Sequence, residues 1–149
     1  MDPATERKVQ DLLQSAQAAA RAGRSDEVAR TCEQILRLAP NHPQALSNLG
    51  MRALHNGDTR AAFDMLRRAA AAAPKEPTVQ FNLSLACRLL GDAPGEWDAL
   101  ERALALDPYF FLALFAKAAW MERNGERRVA ARFYKEALKI GRASCRERV

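Results

Sequence analysis

The apolar positions of this chain fall on helical spacings and alternate between large and small side chains. Leucines recur three and four positions apart, as at Leu46 and Leu49 or at Leu100 and Leu104, with alanines such as Ala45 and Ala103 beside them. Small side chains let two helix backbones approach closely, and leucines fill the space that remains. The pattern therefore predicts helices that pack side by side as antiparallel pairs.

Two residue types that end helices repeat with a period of 34 positions. They are glycine, at Gly23, Gly57, Gly91 and Gly125, and proline, at Pro40, Pro74 and Pro108. Glycine in a left-handed conformation ends a helix at little steric cost, and proline cannot continue one. The period divides the chain into four frames of helix, glycine turn and helix, at about residues 9–42, 43–76, 77–110 and 111–139. We expect these frames to form one domain, 1–139.

The packing positions follow the same period. The eighth residue of every frame is small, and the twenty-seventh is alanine in all frames but the first, which has Ile35. The members are Ala16, Gly50, Ser84 and Ala118 at the eighth position, and Ala69, Ala103 and Ala137 at the twenty-seventh. These positions are predicted to lie where helices meet.

The period and these residues resemble the tetratricopeptide repeat family, whose unit is a 34-residue pair of helices. The second frame matches best, with Leu46, Leu49, Gly50, Ala53, Gly57, Ala62, Leu66, Ala69 and Pro74. The resemblance implies an all-α fold, a right-handed solenoid of about four antiparallel helix-turn-helix hairpins. Glu96 stands where the family has alanine, and we expect it to loosen the third hairpin locally.

Composition narrows the function. Hydrophobic residues make up 48% of the chain and charged residues 28%, with a net charge of +5. Because the basic residues are interspersed with acidic ones, we expect no nucleic acid partner. No apolar run approaches the ~20 residues that a membrane span needs, and the N-terminus has no signal-peptide pattern, so we expect no membrane association.

The residue types that carry chemistry show no catalytic or metal-binding pattern. The cysteines, Cys32, Cys87 and Cys145, are widely spaced, and neither His42 nor His55 lies in a ligand motif. We therefore expect no metal, no cofactor and no catalytic site in these residues, and a reducing cytoplasmic location.

The family resemblance implies a groove lined by the first helix of each frame that holds a peptide or protein partner. Its expected contact residues are Gln44, Asn48, Met51, His55, Phe81, Asn82, Leu85, Arg88, Phe115 and Glu122. Asn48 and Asn82 share a frame position, and a side-chain amide can both donate to and accept from a peptide backbone. They resemble the asparagine ladder of some members of the family. The alternative is that each asparagine bonds a neighbouring helix.

A second interpretation makes the chain the N-terminal part of an enzyme. The stretch 96–114, followed by Glu122, Arg123, Asn124 and Gly125, resembles repeats that precede bacterial aspartyl/asparaginyl β-hydroxylase-type domains. Such domains use iron held by histidines and 2-oxoglutarate. The catalytic part would then lie beyond this chain, which would be a fragment.

The end of the chain carries two expectations. Residues 140–149, IGRASCRERV, are what a common sequencing adapter encodes when read in frame, so we expect this tail to be non-native. The last hairpin is the most aromatic part of the chain and has no obvious capping pattern, whereas a terminal repeat normally has a polar outer face. We expect a further helix or a missing C-terminal domain to dock on it.

Overall fold

The computed structural model describes residues 1–146, which form eight α-helices and no strand. The helices are α1 Pro3–Arg21, α2 Ser25–Leu38, α3 Pro43–His55, α4 Thr59–Ala72, α5 Pro77–Leu90, α6 Ala93–Leu106, α7 Phe111–Arg123 and α8 Arg127–Arg146. Consecutive helices pair into four hairpins, so the predicted all-helical fold is confirmed. The chain divides into two compact units, Met1–Pro74 and Lys75–Val149, and each is described by itself.

Five of the described helices begin at proline or aspartate residues. Proline occupies the first turn of α1, α3, α5 and α6, where its missing N–H is not needed. Three aspartates cap helices by accepting a backbone N–H from the first turn: Asp2 from Thr5 at 3.0 Å, Asp58 from Ala61 at 3.2 Å and Asp92 from Gly95 at 3.0 Å. These proline and aspartate residues therefore indicate, from the sequence alone, where most hairpins start.

The turn inside each hairpin is the same structure repeated four times. Gly23, Gly57, Gly91 and Gly125 all have positive φ, between 72° and 91°. The residue after each glycine donates its N–H to a carbonyl five residues earlier, at 2.8–2.9 Å, which is the Schellman arrangement. A residue with a Cβ would be strained at these positions, so the prediction from the glycine period is confirmed.

In the first unit, α2 packs against α1 and α3, and α3 packs against α4. Val9, Leu13, Cys32 and Ile35 form the buried centre of the first interface together with Ala45. Within the second hairpin, a Cβ placed on Gly50 would lie 2.7 Å from Cγ of Leu66, a fully buried side chain. The small residue predicted at the eighth position is therefore required for this helix approach.

In the second unit, α6 packs against α5 and α7, and α7 packs against α8. Leu100, Ala103 and Ala113 are buried at one interface, and Phe81 and Phe110 pack against them with ring centroids 5.2 Å apart. A second cluster surrounds Ala118, Met121 and Ala130 with Trp97, Trp120, Phe133 and Tyr134. The tryptophans are packing residues, with ring centroids 4.6 Å apart.

Glu96 is buried in this unit rather than loosening it. Its side chain is 6% exposed, and both carboxylate oxygens accept from Nη2 of Arg123 on α7, at 2.7 and 2.8 Å. A buried carboxylate is tolerable when a cation and hydrogen bonds compensate its lost hydration. The expectation of a loosened third hairpin is therefore replaced by an ion pair that joins α6 to α7.

Two helices differ in length from the repeat. The first, α1, begins at Pro3, six residues before the first frame. The last, α8, continues through residues 140–146 of the predicted non-native tail, and residues 147–149 lie outside the described part. The origin of that tail stays a prediction.

Candidate functional site

A cleft in the first unit lies between the first hairpin and α3. It has a volume of about 630 Å³ and is lined by Ala20, Gly23, Ser25, Asp26, Val28, Ala29, Asn48, Met51, Arg52, His55 and Asn56. The first hairpin contributes its turn and the start of α2, and α3 contributes one face at helical spacing. The floor is aliphatic and the rim is polar, which is the usual composition of a ligand site.

Three predicted contact residues, Asn48, Met51 and His55, line this cleft together. They share a face of α3 because they are three and four positions apart. The fourth predicted residue of this helix, Gln44, is exposed but does not line the cleft. The structure thus gathers three of the four α3 residues around one concave surface.

Asn48 is held by the helix behind it. Its side-chain nitrogen donates to Sγ of Cys32 on α2 at 3.6 Å. This is the contact with a neighbouring helix that the sequence left open as the alternative. The contact uses one amide hydrogen, and an amide has a second hydrogen and a carbonyl oxygen to offer a ligand. The bond therefore orients the amide and leaves one N–H and the carbonyl oxygen available to a ligand.

An ion pair stands at the rim of the cleft. Arg52 donates to the carboxylate of Asp26 at 2.7 Å and to the backbone carbonyl of Ser25 at 3.2 Å. The hydrogen bond and positive charge of Arg52 lower the pKa of Asp26, so this carboxylate stays ionised at neutral pH. The rim therefore offers an exposed, ionised carboxylate, paired with Arg52, next to the aliphatic floor.

The predicted residues of the second unit have other surroundings. Phe81, Asn82 and Leu85 are half-buried on α5, and Phe81 packs in the core against Phe110. On the last hairpin, Phe115 meets the ring of Tyr134 edge-on at 5.0 Å.

The hydroxyl of Tyr134 also donates to Glu122 at 3.0 Å. Burial raises the pKa of Tyr134 and so does the Glu122 carboxylate, whereas the charges of Arg123 and Arg88 lower it. The predicted residues Arg88, Phe115 and Glu122 therefore surround one tyrosine of this unit.

The two cysteines of the repeats are buried and unsuited to act as nucleophiles. Cys32 and Cys87 are buried free thiols. Burial raises the pKa of both, and the carboxylates of Asp92 and Glu96 help to raise that of Cys87 to about 11. Such thiols are protonated at neutral pH and are poor nucleophiles.

The described part of the chain contains neither a cluster of metal ligands nor a membrane-spanning helix. Its His, Cys, Asp and Glu residues form no group of three or more that could hold a metal ion. None of its helices is both long enough and apolar enough to cross a membrane.

A family model described as tetratricopeptide repeat matches residues 13–77 and, overlapping them, residues 48–110. The chain belongs to the tetratricopeptide repeat family. The first matched stretch, 13–77, contains every residue that lines the cleft. The family confirms the resemblance that the 34-residue period indicated, whereas the relation to β-hydroxylase-type proteins stays a prediction.

Solved structures with similar folds include other helical-repeat proteins. A crystal structure of MamA has 22% identity and a TM-score of 0.76, with 93% of this chain and 81% of that chain aligned. MamA from Desulfovibrio magneticus RS-1 has 23% identity and a TM-score of 0.74 over 91% and 76% of the two chains. A mutant of O-GlcNAc transferase from Thermobaculum terrenum has 28% identity and a TM-score of 0.73, over 81% of this chain and 23% of that one. No curated protein sequence matches the chain.

Sequence reasoning missed the rim residues of the cleft, although the tetratricopeptide period contained a signal for one of them. Arg52 and Trp120 occupy the tenth position of their frames. Each donates to a backbone carbonyl 27 residues earlier, Arg52 to Ser25 and Trp120 to Ala93 at 3.1 Å. A long donor at the tenth position therefore predicts a bond to the start of the preceding helix, whereas the partnership of Arg52 with Asp26 needs the structure.

Proposed function

We propose that this tetratricopeptide chain is a protein-interaction scaffold that binds an extended peptide segment of a partner in the cleft of its first unit. The observation that carries the proposal is the convergence of Asn48, Met51 and His55 on an aliphatic floor made by Ala20, Val28 and Ala29. A cleft of about 630 Å³ is within the range of small-ligand sites and can hold one or two side chains of a peptide.

The chemistry of the cleft indicates how the peptide binds. An apolar side chain of the peptide would enter between Val28 and Met51, where it leaves water at low cost. The Asn48 amide, oriented by Cys32, would bond the peptide backbone, which gives affinity without reading sequence. The exposed carboxylate of Asp26 at the rim favours a lysine or arginine beside the apolar residue.

A peptide selection tests this proposal. A phage-displayed library of random 12-residue peptides would be selected on the wild-type chain, and the enriched peptides synthesised and measured by fluorescence anisotropy. We expect an apolar residue next to a basic one in the enriched set. Asn48→Ala should weaken these peptides about tenfold, since it removes one or two hydrogen bonds of about 1 kcal/mol each.

The control uses the same chemical change on the same helix. Gln44→Ala also replaces an amide by alanine on α3, but outside the cleft, and it should leave the dissociation constant within about twofold. Circular dichroism would verify that both variants fold. Equal losses in the two variants, or no loss in either, would rule out the cleft as the binding site.

The same selection tests the predicted role of the second asparagine. If Asn82 repeats the function of Asn48, Asn82→Ala should weaken the enriched peptides by a similar factor. If Asn82 serves only the packing of α5, where it is half-buried, Asn82→Ala should lower the melting temperature and leave the affinity of the folded protein unchanged.

A second proposal concerns the last hairpin. Phe111, Leu112 and Phe115 on α7 are 36%, 45% and 40% exposed, which favours a further helix or domain packing on them. The β-hydroxylase-type interpretation would make that partner a catalytic domain. The genomic sequence downstream of residue 139 tests both ideas: an open frame encoding such a domain supports them, and a stop codon contradicts them.

The buried reduced thiols suit the cytoplasmic location that we propose.

A further inference from the structure

The positive charge of the chain is concentrated on α8. This helix contains seven arginine and lysine residues and a single acidic residue, Glu136, which gives it a net charge of +6 over 20 residues. The entire chain carries +5, so the other 129 residues together carry −1. The even mixture of charges seen in the overall composition therefore conceals one strongly basic helix.

Four of these cations form a straight stripe, defined here as Arg128, Arg132, Lys135 and Lys139. Their spacing of four, three and four residues places them on one face of the helix, and all four are exposed. The stripe is about 16 Å long, with a cation about every 5 Å. All four precede residue 140, so the stripe does not depend on the origin of the predicted non-native tail.

The stripe is directed away from the core of its unit. The opposite face of α8 holds Ala130 and Ala137, which are 1% exposed and pack inside the hairpin. The ion pairs found in the described residues involve other side chains. The four cations are therefore hydrated and accessible, and salt screens their mutual repulsion.

Apolar groups border the stripe on both sides. Val129 on one flank and Leu138 on the other are 38% and 48% exposed. At the C-terminal end, Tyr109 is 72% exposed and lines a depression of about 710 Å³ with Lys135, Lys139, Glu136 and Ile140. The surface thus combines a line of positive charge with aliphatic shoulders.

We infer that this face of α8 binds an acidic amphipathic helix of a partner protein. Carboxylates spaced four, three and four residues apart on that helix would meet the four cations one to one, in either direction, because the spacing is the same from both ends. Leucine-like side chains beside those carboxylates would cover Val129 and Leu138. The exposed apolar area would then be buried at the moment of binding.

A nucleic acid fits this surface less well. Proteins that bind single strands present several aromatic rings on which bases stack, along with their basic residues. Around this stripe the exposed apolar neighbours are aliphatic, except for Tyr109. The residues of this surface are also all different from those that line the proposed cleft.

Fluorescence anisotropy on the full chain tests the inference. The probe is a fluorescein-labelled 15-residue peptide with glutamates at its first, fifth, eighth and twelfth positions, leucines beside them and alanines elsewhere. We expect binding in 50 mM salt that weakens at least about tenfold at 300 mM salt, because exposed charges are screened. Lys135→Glu with Lys139→Glu should weaken the peptide at least about tenfold at 50 mM salt.

The control makes the same charge change elsewhere. Arg60→Glu with Arg67→Glu alters two exposed arginines of α4 in the first unit and changes the net charge equally. This double variant should bind the peptide within about twofold of wild type, as should Asn48→Ala, which tests the cleft alone. An equal loss in the α4 and α8 variants would show attraction by net charge and would overturn the inference.

A labelled uridine 15-mer completes the test. It should bind more weakly than the acidic peptide and should respond equally to the α4 and α8 variants. Tighter binding of the uridine 15-mer, with loss only in the α8 variant, would overturn the inference in favour of a nucleic acid site. Failure of the acidic peptide to bind would also overturn it.

Discussion

The ion pair between Glu96 and Arg123 offers a quantitative test of how the second unit is held together. Arg123→Met keeps most of the length and apolar surface of the side chain and removes the charge. The Glu96 carboxylate, 6% exposed, would then remain at the α6–α7 interface without the cation that contacts both of its oxygens. The variant therefore isolates the cost of an unpaired buried carboxylate.

The magnitude follows from the exposure of the two partners. Removing one member of a fully buried ion pair costs about 3–5 kcal/mol, whereas an exposed pair is worth about 0–1 kcal/mol. Arg123 itself is 40% exposed, so water reaches one side of the pair. We therefore expect a loss of about 2 kcal/mol in the free energy of unfolding of this unit.

The assay uses the natural fluorophores of the chain. Both tryptophans, Trp97 and Trp120, lie in the second unit and pack against each other with their rings tilted by 46°. Tryptophan fluorescence therefore follows the unfolding of this unit. With a urea dependence of about 1 kcal/mol per molar, the fluorescence midpoint of Arg123→Met should fall by about 2 M. Circular dichroism would report the helices of both units.

The matched control is Arg102→Met, which removes an exposed arginine of α6 in the same unit. It should move the midpoint by no more than about 0.5 M. Glu96→Ala with Arg123→Met removes both charges and should recover at least half of the loss. If Arg123→Met moved the midpoint no more than Arg102→Met, the ion pair would not be what stabilises this interface.

Three further predictions test the packing and the titrating groups. Gly50→Ala should destabilise the first unit by about 1 kcal/mol in thermal unfolding, because a Cβ would lie 2.7 Å from Cγ of Leu66; Gly141→Ala, where the nearest atom is 3.8 Å away, should be neutral or stabilising. Burial and nearby carboxylates raise the pKa of Cys87 to about 11. At pH 8, iodoacetamide should therefore alkylate Cys87 about a hundredfold more slowly in the folded protein than in urea, as measured by peptide mass spectrometry. Burial lowers the pKa of His42 below 6.5 in the folded state. The contribution of neutral His42 to stability is therefore complete above pH 6.5 and decreases as the pH falls through the folded pKa. Between pH 7.5 and 5.5, the melting temperature of His42→Asn should fall less than that of the wild type.

The repeat made the fold predictable. Backbone geometry dictates three of its features: glycine where φ is positive, proline at the start of helices, and a small residue at Gly50. These residue types can be recognised in the sequence alone. The lengths of α1 and α8 were not predictable from the period, because both helices extend beyond the frames that the glycine and proline residues define.

The binding surfaces were predictable only in part. Asn48, Met51 and His55 share a helix face, so their convergence follows from spacing. The rim pair of Asp26 and Arg52 was missed because the residues are 26 positions apart on different helices. Glu96 was misjudged for the same reason: its partner lies on the next hairpin, and a charge at an alanine position looks unfavourable until the partner is known.

The central claim, that the first-unit cleft binds a peptide, is tested most directly by nuclear magnetic resonance. An isotope-labelled chain would be titrated with the tightest peptide from the selection, and the amide signals followed residue by residue. The account predicts the largest shifts in the two segments that line the cleft, residues 20–29 and 48–56. Shifts confined to the second unit, with these two segments unchanged, would contradict it.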